Sequence, residues 1–289
     1  MLALDIGGTF IKFAMTDENG VILPETVEQI PTNAEGSYED FVNVLTGIIW
    51  QARELRPFRK ASVCIAGPFD FDRGVSMMQH KFRAVYQRSL RPPFEQAGVD
   101  VSFLHDSTAF ILGEAYDGVL KGCKAPCCVM LGTGLGFAFM RDGKVCVDEK
   151  RTPALVLWNM PWRDGIAEDY VSTRAIQALY GEKLPVKSIA DRARQGDVKA
   201  VAAFQTTGEH LSEILKKMIP KLKCDSFALG GQIAKSAELF ELDLPIAWSI
   251  AKYIDDAALR GASYYAFHGQ IACEKVLHRL FIDISEVSI

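Results

Sequence analysis

The sequence lacks the features that would mark a membrane, secreted or nucleic-acid-binding protein. No apolar stretch reaches the roughly 18 residues that a membrane-spanning helix requires. Residues 1–5, Met-Leu-Ala-Leu-Asp, have no charged region before the apolar ones, so they predict a core strand and not a secretory signal. The net charge is −4, and no basic run could neutralise a phosphate backbone. We therefore expect a cytoplasmic protein that binds neither membranes nor nucleic acid.

The seven cysteines also lack a pattern typical of disulfides or of a metal site. Their number is odd and most lie inside apolar runs, which is typical of buried free thiols in a reducing compartment. Cys123, Cys127 and Cys128 cluster, but no Cys or His pair at ligand spacing completes a zinc site. We expect no zinc.

No Pro/Ser-rich linker divides the chain, although 289 residues can form two domains. Strand-like runs come first, at residues 2–6, 10–15 and 21–30. Ser37 and Asp40 have the spacing of a capping box, which predicts the start of an amphipathic helix. Residues 61–66 are apolar throughout, which predicts a strand buried on both faces.

The order of hairpin, strand, helix and strand occurs twice along the chain. A short strand at 101–104 and a helix at 108–120 complete the first occurrence, after which the pattern restarts. From residue 166 onward the chain is mainly helical apart from a strand at 226–229. We predict an α/β protein with domains 1–103 and 104–289, tightly apposed with a cleft between them, and a last helix that packs back on the first domain.

Two turns that combine glycine with threonine each connect a pair of predicted strands. Asp5 precedes the first turn, and the turn residues are Gly7, Gly8, Thr9, Gly132, Thr133, Gly134 and Gly136. Glycine lets the backbone bend sharply and approach a ligand closely. A carboxylate, hydroxyls and free N–H groups together suit a phosphate with its metal ion. Either turn alone could be a structural hairpin, but two in one chain indicate two halves of a nucleotide clamp.

Asp106 follows the predicted strand at 101–104, and ligands of open α/β sheets gather at such carboxyl ends. This acid could be a structural N-cap of the next helix. It could also be a general base that accepts a proton from a substrate hydroxyl during phosphoryl transfer. Because Ser107 and Thr108 can cap the helix themselves, we favour the general base.

A third glycine turn, Gly230-Gly231, follows the strand at 226–229 and opens a predicted helix at 233–240. Its backbone could pass close to a ligand, since a helix N-terminus favours an anion. A tight strand-to-helix turn that needs no ligand explains the same residues.

Together these motifs resemble the ROK group of sugar kinases, over essentially the whole chain. The resemblance rests on five stretches in the family's order: Asp5-Ile6-Gly7-Gly8-Thr9 with Lys12, the Gly67-Pro68 turn, His105-Asp106 with Gly113-Glu114-Ala115, Leu131–Gly136, and Leu229-Gly230-Gly231. It implies a two-domain actin-like ATPase (ribonuclease H-like) fold with an interdomain cleft.

The resemblance also implies a role for each motif. Asp5 would hold Mg²⁺ through water, while Thr9 and Lys12 would address the transferring phosphate of ATP. The turn at 132–136 would hold the β- and γ-phosphates, and Gly230 and Gly231 would flank the adenosine and the α-phosphate. Asp106 would be the base for a sugar hydroxyl, and Gly67, Pro68, His80 and His105 would lie on the sugar side. A homodimer is the assembly that the family suggests.

The chain departs from the family's pattern on the sugar side. The cysteine-rich zinc motif is missing, and Thr152–Leu157 stands where a Gly-Glu-x-Gly-His stretch is usual. Glu168 resembles the family's other sugar-contacting Glu, although a first-turn acid that stabilises its helix explains it as well. Gln79, His80 and Lys81 could replace the lost contacts and favour an acidic or amino-substituted sugar, or form a solvated loop.

Three functions are therefore compared. The leading hypothesis is an ATP-dependent kinase for a hexose or hexose derivative. A weakly active sugar-sensing pseudokinase would explain the altered stretch at 152–157, and an actin-like ATPase that activates an enzyme would need neither Asp106 nor the Gly67-Pro68 turn. The family's repressor branch carries a DNA-binding segment before the first strand, which this chain is expected to lack because its first strand starts at residue 2.

Overall fold

The computed structural model describes residues 1–79, 81–269 and 271–273. The strands, in chain order, are β1 (Leu2–Ile6), β2 (Phe10–Met15), β3 (Glu28–Pro31), β4 (Lys60–Ile65), β5 (Phe69–Asp70), β6 (Val75–Ser76), β7 (Asp100–His105), β8 (Pro126–Leu131), β9 (Leu135–Arg141), β10 (Lys144–Val147), β11 (Pro161–Trp162), β12 (Gly165–Ile166), β13 (Ser226–Gly230), β14 (Trp248–Ile250) and β15 (Ile271–Cys273). The α-helices are α1 (Tyr38–Leu55), α2 (Pro92–Gln96), α3 (Asp106–Asp117), α4 (Ala167–Tyr170), α5 (Thr173–Tyr180), α6 (Val186–Arg194), α7 (Val198–Leu222) and α8 (Ala257–His268). Short 3-10 helices lie at Pro24–Thr26, Arg83–Val85 and Gln232–Leu239.

The described residues form two compact units. Unit 1 comprises Met1–Tyr116, Val147–Pro153 and Asp256–Cys273, and unit 2 comprises Asp117–Cys146 and Ala154–Asp255. Within unit 1, α8 packs against β1 and β4. The domain division predicted between residues 103 and 104 stays a prediction.

The sheet of unit 1 has the strand order β3-β2-β1-β4-β7. Strand β1 is antiparallel to β2 and parallel to β4, which in turn is parallel to β7. Successive side chains of a strand point to opposite faces. Leu2 and Leu4 accordingly join the core cluster that contains Leu45 of α1, whereas Ala3 joins a separate cluster with Leu259 of α8. Helices thus cover both faces, and the carboxyl ends of β1, β4 and β7 lie at one edge.

Two glycines let α3 and α8 pack closely in unit 1. A Cβ on Gly113 would lie 2.0 Å from the carbonyl oxygen of Ala257, and one on Gly261 would lie 1.6 Å from that of Ala109. Any larger residue would push the helices apart, since both obstructing atoms belong to the backbone. This contact positions the helix that begins with Asp106.

Unit 2 contains the strand order β14-β13-β8-β9-β10. Strand β13 is parallel to β8 and β14, and β8 is antiparallel to β9. The sheet packs on a large apolar cluster that includes Phe204 of α7, Phe227 of β13 and Phe240. Helices α5 and α6 pack against α7.

Residues 21–30 do not form the single strand predicted there. A 3-10 helix occupies Pro24–Thr26, and β3 begins only at Glu28. Proline has no N–H to donate to a strand, and the Thr26 hydroxyl donates to the Leu23 carbonyl at 2.7 Å, which holds the turn. The helix predicted at 233–240 is likewise a 3-10 helix, Gln232–Leu239, with non-helical torsion angles at Ser236.

None of the helices within the described ranges combines the length and the hydropathy that a membrane span requires. In the same part of the chain, no three His, Cys, Asp or Glu side chains group so that they could hold a metal ion. The expected absence of zinc stays a prediction.

Candidate active site

Three groups of candidate residues meet at one edge of the unit 1 sheet. Strands β1, β4 and β7 are parallel neighbours whose carboxyl-terminal residues pair in register. The Gly7-Gly8 turn follows β1, the Gly67-Pro68 pair follows β4, and Asp106 follows β7. This edge is where open α/β sheets bind ligands.

The predicted sugar-side residues of unit 1 are neighbours in space. A Cβ on Gly67 would lie 3.3 Å from Nε2 of His105, and the peptide bond between Gly67 and Pro68 is cis. Nδ1 of His105 lies 2.8 Å from Oδ1 of Asp106. His80, which was predicted to contact the same substrate, lies outside the described residues.

The carboxylate of Asp106 is anchored through one of its two oxygens. Oδ1 accepts the backbone N–H of Ser107 at 2.7 Å and the Ser107 hydroxyl at 3.3 Å. Asp106 is the first residue of α3, and these bonds hold its carboxylate against the start of the helix. The buried Thr108 hydroxyl, which we expected to cap the helix together with Ser107, has no hydrogen-bond partner in the described part of the chain. Within the described ranges no group donates to Oδ2, and the side chain is 39% exposed. One oxygen thus remains open to a ligand.

The same contacts set the protonation state of Asp106. Burial is the largest single influence and raises its pKa, but the charge and the hydrogen bond of the His105 ring, the charge of Lys81 and the Ser107 N–H together outweigh burial and lower the pKa. The net result is a pKa of about 2 for Asp106. The carboxylate is therefore ionised near neutral pH and can accept a hydrogen bond from a hydroxyl.

Asp5 lies near the end of β1 with its carboxylate beside Cys64 of β4, whose Sγ is 3.5 Å from Oδ1. Burial, followed by the negative charge of Asp106, raises the pKa of Asp5 to about 6. The Cys64 thiol, Lys12 and Lys81 lower that pKa by less. A half-buried carboxylate whose charge is so poorly compensated favours a cation beside it.

We expect the metal-free protein to lose unfolding free energy as the pH rises from about 4 to about 6, and Asp5→Asn to remove this loss. The pKa of Asp5 is raised from 3.8 in the reference state to about 6 in the folded protein. The folded state therefore binds the proton more tightly, so the stabilisation is fully present below the unfolded pKa and is lost through the folded one. The shift corresponds to at most about 3 kcal/mol. Urea unfolding of both proteins in EDTA at pH 4.5 and 7 measures it, and an equal change with pH in both would contradict the assignment.

The first glycine turn is held by residues distant in sequence. The Thr32 hydroxyl donates to the Gly7 carbonyl at 2.7 Å. Thr9, two residues after Gly7, is exposed to solvent. Lys12 on β2 pairs with Asp256 at 3.2 Å. Neither Thr32 nor Asp256 belongs to a motif, so no pattern in the sequence pointed to them. The phosphate roles of Thr9 and Lys12 stay predictions.

In unit 2 the second glycine turn connects β8 to β9. The Gly132 N–H donates to the Gly134 carbonyl at 3.1 Å. Thr173 of α5 supports the turn, because its N–H and its hydroxyl both donate to the Gly132 carbonyl at 2.9 Å. Thr133 is exposed at the tip, and Gly136 lies in β9 opposite β8. The exposed hydroxyl and the adjacent glycine backbone remain accessible to a ligand.

Gly230 and Gly231 lie beside this turn, because β13 runs parallel to β8. Gly230 pairs with Met130, and Gly231 follows with a φ of +80°. A Cβ on Gly231 would lie 2.2 Å from the Leu131 carbonyl oxygen. The packing alone therefore requires glycine at 231, and the structure brings the predicted adenosine motif and the predicted phosphate turn to one edge of unit 2.

The Glu168 carboxylate contacts the second glycine turn. Its Oε2 accepts the Leu135 N–H at 3.0 Å, and its Oε1 lies 3.3 Å from Arg174. A Cβ on Gly134 would lie 2.7 Å from Oε2, so glycine there admits the carboxylate. Glu168 thus supports the turn through a charge-assisted hydrogen bond, a role that neither sequence interpretation included.

We expect Glu168→Ala to weaken ADP binding about tenfold in the absence of sugar, because a hydrogen bond to a charged group contributes about 1.5–3 kcal/mol. Isothermal titration calorimetry measures this directly. Asp169→Ala is the matched control, since Asp169 lies in the same helix and also pairs with Arg174 but bonds the Ile166 N–H instead of the turn. Unchanged ADP affinity combined with a raised sugar KM would favour the sugar-contact role.

The sequence model of the ROK family matches residues 1–149 and 163–266. An N-acetyl-D-glucosamine kinase from Photobacterium profundum is 26% identical over 90% of this chain and 97% of that protein. A glucokinase from Thermotoga maritima is 22% identical over 88% of each chain.

Solved structures show the fold. A ROK family glucokinase from Streptomyces griseus, in complex with glucose and AMPPNP, has a TM-score of 0.73 at 23% identity over 91% of this chain and 98% of that one. A ROK family transcriptional regulator, a homologue of the E. coli MLC protein, has a TM-score of 0.80 at 19% identity over 99% of this chain and 81% of that one. These likenesses confirm the predicted α/β, actin-like fold class.

Proposed function

Since the chain belongs to the ROK family, we propose that it is an ATP-dependent kinase that phosphorylates a hexose or a hexose derivative. The kinases among its relatives support this class of substrate. The observation that carries the proposal is the Asp106 carboxylate, which is ionised and has Oδ2 open at the sheet edge that Asp5 also occupies.

In the proposed reaction a sugar hydroxyl donates a hydrogen bond to Oδ2 of Asp106. The hydroxyl oxygen forms a bond to the γ-phosphorus while the bond from that phosphorus to the β–γ bridging oxygen breaks, and ADP leaves. The hydroxyl proton passes to Asp106. The Asp106 carboxylate thus positions the hydroxyl and receives its proton, and positioning of this kind suits the loose transition state of phosphoryl transfer.

Asp5 is the residue that we assign to Mg²⁺, through water. Its half-buried carboxylate lies beside the Cys64 thiol and is affected by the negative charge of Asp106. Its pKa is raised to about 6, and a divalent cation would favour its ionised form. Mg²⁺ is usually held by one or two carboxylates together with phosphates and waters, which fits a single acid at a phosphate turn. When bound, the ion neutralises charge on the phosphates.

The nucleotide is assigned to the glycine turns. Thr133 and the backbone of Gly134 and Gly136 would hold the β- and γ-phosphates, while Gly230 and Gly231 would flank the adenosine and the α-phosphate. Backbone N–H groups at such turns provide an anion site. On the sugar side we assign the neighbouring residues Gly67, Pro68 and His105, together with the predicted contact His80. Glu168 supports the second glycine turn, and its contact with the sugar stays a prediction. Homodimerisation stays a prediction.

A sugar-sensing protein with little turnover is the second candidate. The stretch at 152–157, where the resemblance places two polar sugar contacts, contains Leu155 and Leu157, which are buried in the apolar core of unit 2. These positions therefore offer the sugar no carboxylate or imidazole. Intact Asp5 and Asp106 oppose this candidate.

A coupled assay of ADP release tests the proposal. Wild-type protein with Mg-ATP is screened against neutral, N-acetylated amino and acidic hexoses, with a sugar-free reaction as the baseline. We expect at least one sugar to raise ADP release well above that baseline. Sugar binding by calorimetry without ADP release from any sugar would favour the sensor.

A further inference from the structure

Lys81 is an exposed cation that lies against the first glycine turn. Its Cε is 3.2 Å and its Cγ 3.5 Å from the position that a Cβ on Gly8 would occupy. A side chain at residue 8 would therefore displace the lysine. The nearest neighbours of the corresponding position on Gly67 are His105 and Phe69, so Lys81 lies on the phosphate turn and not on the Gly-Pro turn.

The charge of Lys81 acts on both carboxylates of this edge. It makes a small contribution that lowers the pKa of Asp5 and that of Asp106. No carboxylate of the described residues forms an ion pair with Lys81, whose Nζ lies 6.0 Å from the Phe82 ring centre. Lys12, the lysine of the glycine motif, is by contrast paired with Asp256.

A triphosphate at this edge would meet two carboxylates of its own sign. Phosphoryl transfer depends mainly on stabilising charge on the transferring group, and a fixed cation does this well where water is excluded. We propose that Lys81 is a further catalytic residue, whose ammonium contacts the phosphoryl group as it is transferred beside Gly8. The inference rests on the proposed kinase function and extends it, because it assigns to Lys81 a role on the phosphate in place of a sugar contact.

The test compares Lys81→Met, Lys81→Arg and the control Arg83→Met, which removes another exposed cation two residues away, at the start of a 3-10 helix. Methionine keeps the aliphatic contact with Gly8 and removes only the charge. We expect Lys81→Met to lower kcat about 100-fold, with KM for ATP and sugar within about threefold of wild type. Arginine should restore part of the rate, and Arg83→Met should leave it unchanged.

A binding measurement separates this inference from the kinase proposal. Calorimetry compares Mg-ADP alone with Mg-ADP plus aluminium fluoride, which mimics the transferring phosphoryl group, both in the presence of sugar. We expect Lys81→Met to lose about 100-fold in affinity for the fluoride complex and nothing for Mg-ADP.

Equal affinity of wild type and Lys81→Met for the fluoride complex overturns the inference. The inference is also overturned if Lys81→Met has an unchanged kcat and a raised KM for acidic sugars only, because Lys81 would then bind the sugar and not the phosphoryl group. Wild-type protein that binds the fluoride complex but phosphorylates no sugar overturns the kinase proposal alone.

Discussion

Asp106→Asn is expected to lower sugar-dependent ADP release by a factor of about 10³ while ADP affinity stays near that of wild type. The amide keeps the size of the side chain and can still accept the Ser107 N–H through its oxygen, so the start of α3 should be undisturbed. It cannot take the hydroxyl proton, and general-base catalysis contributes about 10²–10⁴ in rate. Steady-state ADP release and calorimetry with ADP measure the two quantities separately.

Asp100→Asn is the matched control for this experiment. Asp100 begins the same strand that ends at His105, and its side chain is exposed at the opposite end of β7. We expect the control to have wild-type turnover. Wild-type turnover by Asp106→Asn would remove the base from the mechanism, and a matching loss of ADP affinity would make Asp106 a structural residue of the nucleotide site.

The candidate site was predictable wherever a local motif carries it. The glycine turns and Asp106 are each recognisable within a few residues, and the parallel order of β1, β4 and β7 brings the unit 1 motifs to one edge. The residues that support them were not predictable. The Thr173 hydroxyl donates to the carbonyl of Gly132, which is 41 residues away in sequence. The Cys64 thiol contacts the carboxylate of Asp5, which is 59 residues away. Such partners depend on strand order and helix placement, which a single sequence does not contain.

The fold shows the same division between local and distant causes. The capping box of Ser37 and Asp40 is present with both reciprocal bonds, and α1 starts at Tyr38, immediately after Ser37. This start was predictable because the donors and acceptors lie three residues apart. The strand predicted at 21–30 was wrong before Glu28. The apolar residues there suggested a strand, but Pro24 begins a 3-10 helix instead. The helix predicted at 233–240 is a 3-10 helix that is interrupted by non-helical torsion angles at Ser236, and the residue before it, Gly231, lies against the end of β8.

Gly231→Ala is expected to lower the unfolding free energy by at least about 3 kcal/mol and to weaken ADP binding. Gly231 has φ +80° and ψ 167°, a conformation that residues with a Cβ rarely adopt and that costs them about 1–3 kcal/mol. The new methyl group would also lie 2.2 Å from the Leu131 oxygen and 2.7 Å from the Leu131 nitrogen. Relief requires movement of the end of β8, and overpacking of this kind adds about 1–3 kcal/mol. Urea unfolding and ADP titration measure both effects.

Gly122→Ala separates the two contributions, because Gly122 has nearly the same φ, +82°, but nothing within 4 Å of the added methyl group. We expect this control to lose only the conformational part, about 1 kcal/mol, and to bind ADP like wild type. A loss in Gly231→Ala beyond the roughly 1–3 kcal/mol of its own backbone conformation is then the cost of displacing Leu131, the residue next to Gly132 in the second phosphate turn. Equal losses in both would mean that β8 yields without resistance, and the packing argument for glycine at 231 would fail. A large loss of stability in Gly231→Ala with intact ADP affinity would instead show that this turn does not depend on Leu131 for its shape.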